Sequence, residues 1–116
     1  MFRFETLDVW QEAIDITDKL FDIADEVDSK HLYRFAEQLR GAAMSISNNI
    51  AEGSGSFSDK EFASFLNIAR RSVFECANIL IIFYRRKLIE QETKEHLLQK
   101  LSYLAGKITN FRKSLK

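Results

Sequence analysis

Two histidines, one cysteine and a scatter of carboxylates are the side chains of this 116-residue sequence that could do covalent or acid–base chemistry. His31 and His96 stand far apart and in no metal-binding His-Glu-x-x-His or Glu-x-x-His spacing, although Glu92 precedes His96 by four. A helix surface or helix end accounts for both. Cys76 has Glu75 beside it, and a carboxylate raises a thiol's pKa where an activated thiolate needs it lowered. It reads as a small core residue. Gly53-Ser54-Gly55-Ser56 before a helix resembles a phosphate cradle, but no Gly-Lys-Ser/Thr follows, and Asp59 would put a carboxylate where phosphate should sit. Glu52 and Glu75, on two successive helical stretches, are the candidate catalytic carboxylate pair. With no nucleophile, metal-ligand set or third acid around them, they do not make a convincing catalytic pair. The expectation is a non-enzyme with no cofactor and no metal.

Two other constellations remain. Gln38, Arg40, Ser45, Asn49 and Glu52 run along one helical stretch, with Arg71 and Glu75 on the next. Ser and Asn prefer caps and turns because their side chains compete for backbone hydrogen bonds. Their placement here predicts a polar network between helices that fixes register or subunit pairing. The second constellation is basic. Arg85-Arg86-Lys87 closes one helix, where cations also complement the helix dipole, and Lys107, Arg112, Lys113 and Lys116 gather near the C-terminus with Tyr103 and Phe111 between them. Arg85, Arg86, Lys87, Lys107, Arg112 and Lys113 are the candidates for nucleic-acid phosphate contacts.

The elements that must position these groups are helical. Proline is absent and the four glycines are sparse, which argues against an all-β fold. Helix 1 is expected over about Leu7 to Val27 with Thr6 as N-cap, its core stripe being Trp10, Ala13, Ile14, Thr17, Leu20, Phe21, Ala24 and Val27. Val9, Ile16 and Ile23 widen that stripe. Helix 2 follows Ser29 and runs through Leu39, Ala43, Ile46 and Ile50 to Glu52, with Gly53 at the C′ position. Ser58-Asp59-Lys60-Glu61 is a capping box with Phe57 and Phe62 at the staple positions, so helix 3 starts at Asp59. Helix 4 starts near Gln91 without a good cap. Four amphipathic helices joined by short connections form an all-α, up-down-up-down four-helix bundle, one domain spanning 1–116.

The net charge is zero, yet residues 1–30 hold three basic and nine acidic side chains, while residues 94–116 hold six basic and one acidic. Two neighbouring helices that complement each other explain this gradient as well as a nucleic-acid surface does. The lone cysteine, the lack of any apolar run near about 18 residues and the lack of a signal-peptide h-region suggest a soluble cytoplasmic protein with no membrane partner. Ile79-Leu80-Ile81-Ile82-Phe83-Tyr84 is apolar all the way round its helix. Ile81 and Ile82, with Ile16 and Ile23 from the wide arc of helix 1, are therefore expected at an oligomer interface.

Three stretches carry a family resemblance: Leu7-x-Val9-Trp10-Gln11; Gln38-Leu39-Arg40-x-Ala42-x-x-Ser45-Ile46-x-x-Asn49-Ile50-Ala51-Glu52-Gly53; and Glu61-Phe62-x-x-Phe65-Leu66-x-x-Ala69-x-x-Ser72-x-x-Glu75. They resemble the four-helix-bundle proteins encoded in intervening sequences of bacterial 23S rRNA genes, often called ribosomal proteins. The resemblance implies a homopentameric ring with no established enzyme activity. It extends to the accessory protein of diversity-generating retroelements, a basic pentameric barrel that works with a reverse transcriptase and nucleic acid. This chain departs from that relative in charge, being neutral overall. The expected function is an oligomeric scaffold associated with RNA or a nucleic-acid-processing protein, the alternative being a protein-interaction adaptor without nucleic acid.

Overall fold

Heptad spacing organises the molecule. In the computed structural model, which describes residues 1–115, a single 3-10 turn at Arg3–Thr6 precedes helices α1 (Asp8–Ser29), α2 (Tyr33–Ser54), α3 (Asp59–Arg85) and α4 (Gln91–Ser114). The buried series on α1 is Val9, Ala13, Ile16, Leu20, Ile23 and Val27, spaced alternately by four and three. The same alternation runs through Ala36, Leu39, Ala43, Ile46, Ile50 and Gly53 on α2, and through Phe62, Leu66, Ala69, Val73, Cys76, Leu80 and Phe83 on α3. Leu97, Leu101, Leu104 and Ile108 repeat it on α4. A period of 3.5 residues keeps one seam facing its neighbours along the whole of each helix, as in left-handed bundles. The four seams meet in one core. Consecutive helices pack antiparallel, and α1 touches α4 over much less of its length than it touches α2.

This seam corrects the expected core of α1. Ala13, Leu20, Ala24 and Val27 are buried as expected and are joined by Val9, Ile16 and Ile23, whereas Trp10, Ile14, Thr17 and Phe21 are only half-buried at its edge. Thr6 does not cap α1; its hydroxyl donates to the Arg3 carbonyl at 2.9 Å, and Leu7 precedes the helix with no side-chain cap. At α3 the expected start holds, with the Ser58 hydroxyl accepting from the Glu61 amide at 3.1 Å. The staple does not form, because Phe57 stands fully in solvent (106% exposed). α1 and α3 end alike without glycine. His31 and Lys87 both adopt φ 64°, and the amides that follow reach back to Val27 and Phe83 at 3.3 and 2.8 Å.

Gly53 is not the terminator of α2. The helix continues through Ser54, and Gly55 takes the cap position. Gly53 is a buried seam residue on which a Cβ would lie 2.7 Å from the Phe65 Cβ and 2.8 Å from the Phe62 Cδ1. The missing side chain is what lets α2 approach the bulky start of α3. Gly53→Ala should destabilise the fold by about 2 kcal/mol, the usual penalty of overpacking. Gly41→Ala should stabilise it by about 0.5–1 kcal/mol, because a Cβ there meets nothing within 4 Å on an exposed helical face. Urea denaturation of the two variants measures both signs.

Candidate functional site

The polar stripe divides between two helix junctions. At the α2–α3 junction, Ser45 and Ser72 share a hydrogen bond of 2.7 Å between their hydroxyls, and the Asn49 amide donates to the Ser45 carbonyl at 2.7 Å and to its hydroxyl at 3.0 Å. Ser72 is 7% exposed, so this bond satisfies a group that water barely reaches. At the α1–α2 junction Arg40 holds Asp25 at 2.6 Å, Asp28 at 2.7 Å and Glu37 at 2.9 Å. Those three carboxylates, Asp28 foremost, raise the Arg40 pKa further above its already high value. Gln38, Glu52, Arg71 and Glu75 do not join either cluster; they lie on the exposed outer faces of α2 and α3. The single network expected from these seven residues is thus two separate locks. Its missing members were Ser72, Asp25 and Asp28, which sequence spacing could not assign because each lies on a different helix from its partner.

The six candidate phosphate-binding residues also separate. Arg85, Arg86 and Lys87 are exposed at the end of the bundle where α3 stops. Lys107, Arg112 and Lys113 belong to the last two turns of α4, towards the opposite end of a molecule 45 Å long. Lys107 is engaged internally. Its ammonium lies 3.1 Å from the Glu12 carboxylate, which raises its pKa, and 5.6 Å from the Tyr103 ring centre. The Arg112 Nε donates to the Ala63 carbonyl at 3.1 Å and so ties α4 to the start of α3. Lys113 is exposed, and Lys116 lies outside the described residues. The acidic α1 and basic α4 therefore meet as complementary neighbours. Two shallow clefts of about 200 and 360 Å³ lie along this sparsely packed seam, lined in part by Asp15, Lys19 and Lys100 in one and by Asp8 and Lys107 in the other.

Of the four expected interface residues, Ile16 and Ile23 are 5% and 7% exposed because the heptad seam turns them into the chain's own core. Ile81 and Ile82 are 41% and 45% exposed. Glu52 and Glu75 are exposed, and the ten residue steps along α3 from Phe65, beside Gly53, to Glu75 span about 15 Å, so the two carboxylates share no site. His31 shares a 2.7 Å hydrogen bond with the Tyr33 hydroxyl at the α1–α2 turn, and His96 is exposed on α4. No group of three or more His, Cys, Asp or Glu among the described residues is arranged to hold a metal ion. No helix among them is long and apolar enough to cross a membrane.

The fold and this distribution of polar groups define an all-α four-helix bundle whose polar clusters join helix to helix. The model of the 23S rRNA-intervening sequence protein family matches residues 5–110, and the chain belongs to that family. Its fold is similar to that of a protein of unknown function from the S23 ribosomal protein family of Bacteroides thetaiotaomicron VPI-5482. That likeness has a TM-score of 0.85 at 20% identity and covers 91% of this chain and 99% of the other. No curated protein matches the chain.

Cys76, in the core seam and apart from these polar clusters, has a clear titration consequence. Burial in the α3 seam, and secondarily Glu75, push its thiol up to about 12. The native state therefore keeps a proton that the unfolded chain releases near its ordinary thiol pKa of about 8.5. Stability is complete below that pH and falls as pH rises from about 9 towards about 12. At pH 8 the thiol should react with Ellman's reagent only as fast as the protein opens. Instant labelling of the folded protein would show the thiol to be accessible.

Proposed function

We propose that this chain is a non-enzymatic scaffold, assembled as a homopentameric ring, that associates with RNA or a nucleoprotein. The observation that carries the nucleic-acid part is the cap Arg85-Arg86-Lys87. These three consecutive cations are exposed and form no ion pair among the described residues, while Lys107 and Arg112 are occupied within the bundle. A chain with zero net charge gains little from counterion release as a single copy. A ring that displays the same cap from each subunit concentrates the charge, so assembly and phosphate binding support each other. The apolar residues that remain in solvent on α3, Ile81 and Ile82 among them, support self-association. The same surfaces would serve a protein-interaction adaptor, the reading left standing if RNA is not bound.

Light scattering should give the mass of an oligomer, shifted towards monomer by Ile82→Lys; an unchanged mass would remove Ile82 from the interface. A gel-shift titration with single-stranded RNA at low salt should show salt-sensitive binding. Reversing Arg85, Arg86 and Lys87 together to Glu should weaken it by about tenfold or more, as loss of several phosphate contacts does. Parent binding no stronger than that of an acidic control protein would reject the nucleic-acid reading.

A further inference from the structure

A groove of about 350 Å³ runs between α3 and α4. Phe74, Ala77, Leu98, Ser102 and Gly106 are among its walls, and Arg70 is the only charged residue lining it among the described residues. Phe74 is more than half exposed, and a Cβ on Gly106 would meet nothing within 4 Å, so the groove is open to a bulky occupant. The Arg70 guanidinium lies 4.9 Å from the Phe74 ring centre, and its Nε is buried with no hydrogen-bond partner among the described residues. An occupant that suits this groove is an apolar ridge carrying one carboxylate: the apolar part covers Phe74, and the carboxylate pairs with the Arg70 guanidinium.

The chain itself carries such a ridge. Ile68, Glu75 and Ile82 follow one another at intervals of seven on α3, all exposed. Seven residues are nearly two helical turns, so the three side chains stand almost in line over about 21 Å. Arg71 and Asn78 flank the line, and Glu75 makes no ion pair or hydrogen bond among the described residues. Arg70 and Glu75 are five residues apart, or about 140° around the helix, so they cannot pair within one copy.

We propose that a second copy of this chain lays its Ile68–Glu75–Ile82 ridge into the α3–α4 groove, with Glu75 against Arg70. The proposal rests on the self-assembly reading above and names its interface. Ridge and groove are different surfaces of one helix. Each copy therefore offers its ridge to one neighbour and its groove to the other, a head-to-tail contact that generates a ring when the rotation closes.

Charge reversal tests the contact. Arg70→Glu and Glu75→Arg should each bring the mass by light scattering down to monomer at concentrations where the parent is assembled, with the helical circular dichroism retained. The double variant restores the opposite charges across the interface and should recover the assembled mass. If Arg70→Glu disturbs the groove itself, Glu75→Arg alone, which alters only an exposed side chain, carries the test. An assembled parent whose mass Glu75→Arg leaves unchanged, or single defects that the double variant does not repair, would overturn this interface while leaving self-assembly intact. A parent that is monomeric at all concentrations would overturn both.

Discussion

The alternating four-three spacing of buried residues is the constraint from which the rest of the molecule follows. It fixes which face of each helix turns inward, and so decides every other side chain's exposure. Because Val9, Ile16 and Ile23 belong to the seam, Trp10 and Phe21 are displaced to its edge. Because position 53 belongs to the seam of α2, the residue there must tolerate Phe62 and Phe65 at van der Waals distance, and only glycine does. The same register brings Ser45 opposite Ser72, so that the buried Ser72 hydroxyl meets a partner where water barely reaches it.

Charge follows the packing. α1 is the acidic helix and α4 carries the C-terminal cations, and the bundle topology makes them neighbours joined by Glu12 and Lys107. At the other side of α1, Arg40 gathers three carboxylates from α1 and α2. Two of the six cations that looked available for phosphate, Lys107 and Arg112, are therefore engaged within the fold. The basic cap at Arg85–Lys87 stands out as three consecutive exposed cations with no ion pair among the described residues. Ion pairs of this kind, open to solvent, add little stability individually.

Helix number, order and chain direction were legible in the sequence, since each helix carries enough apolar periodicity and α3 a strong start signal at Ser58–Glu61. Where the reading slipped, the reason was local ambiguity. α1 has apolar residues on nearly half its circumference, so a 3.6-residue stripe through Trp10 and Ile14 fits the sequence as well as the 3.5-residue seam that is buried. Gly53 near the end of a helix reads as a C′ residue, because a turn glycine and a close-contact glycine look alike in one dimension. The candidate polar residues were recognisable as unusual, but their partners were not.

The sequence by itself determined that this is an all-helical bundle of a recognisable family, because amphipathic period, capping residues and the Ser-Ile-x-x-Asn-Ile-Ala-Glu-Gly motif are properties of residues close together in the chain. Only the tertiary structure decided which of its unusual residues hold the bundle together and which face outward. Ser45 with Ser72, Arg40 with Asp25, and Lys107 with Glu12 are separated by 27, 15 and 95 positions, and their meeting depends on how rigid helices are stacked. A helix fixes the direction of each side chain relative to its own axis. What lies in that direction is set by the neighbouring helix, and no local pattern of residues records it.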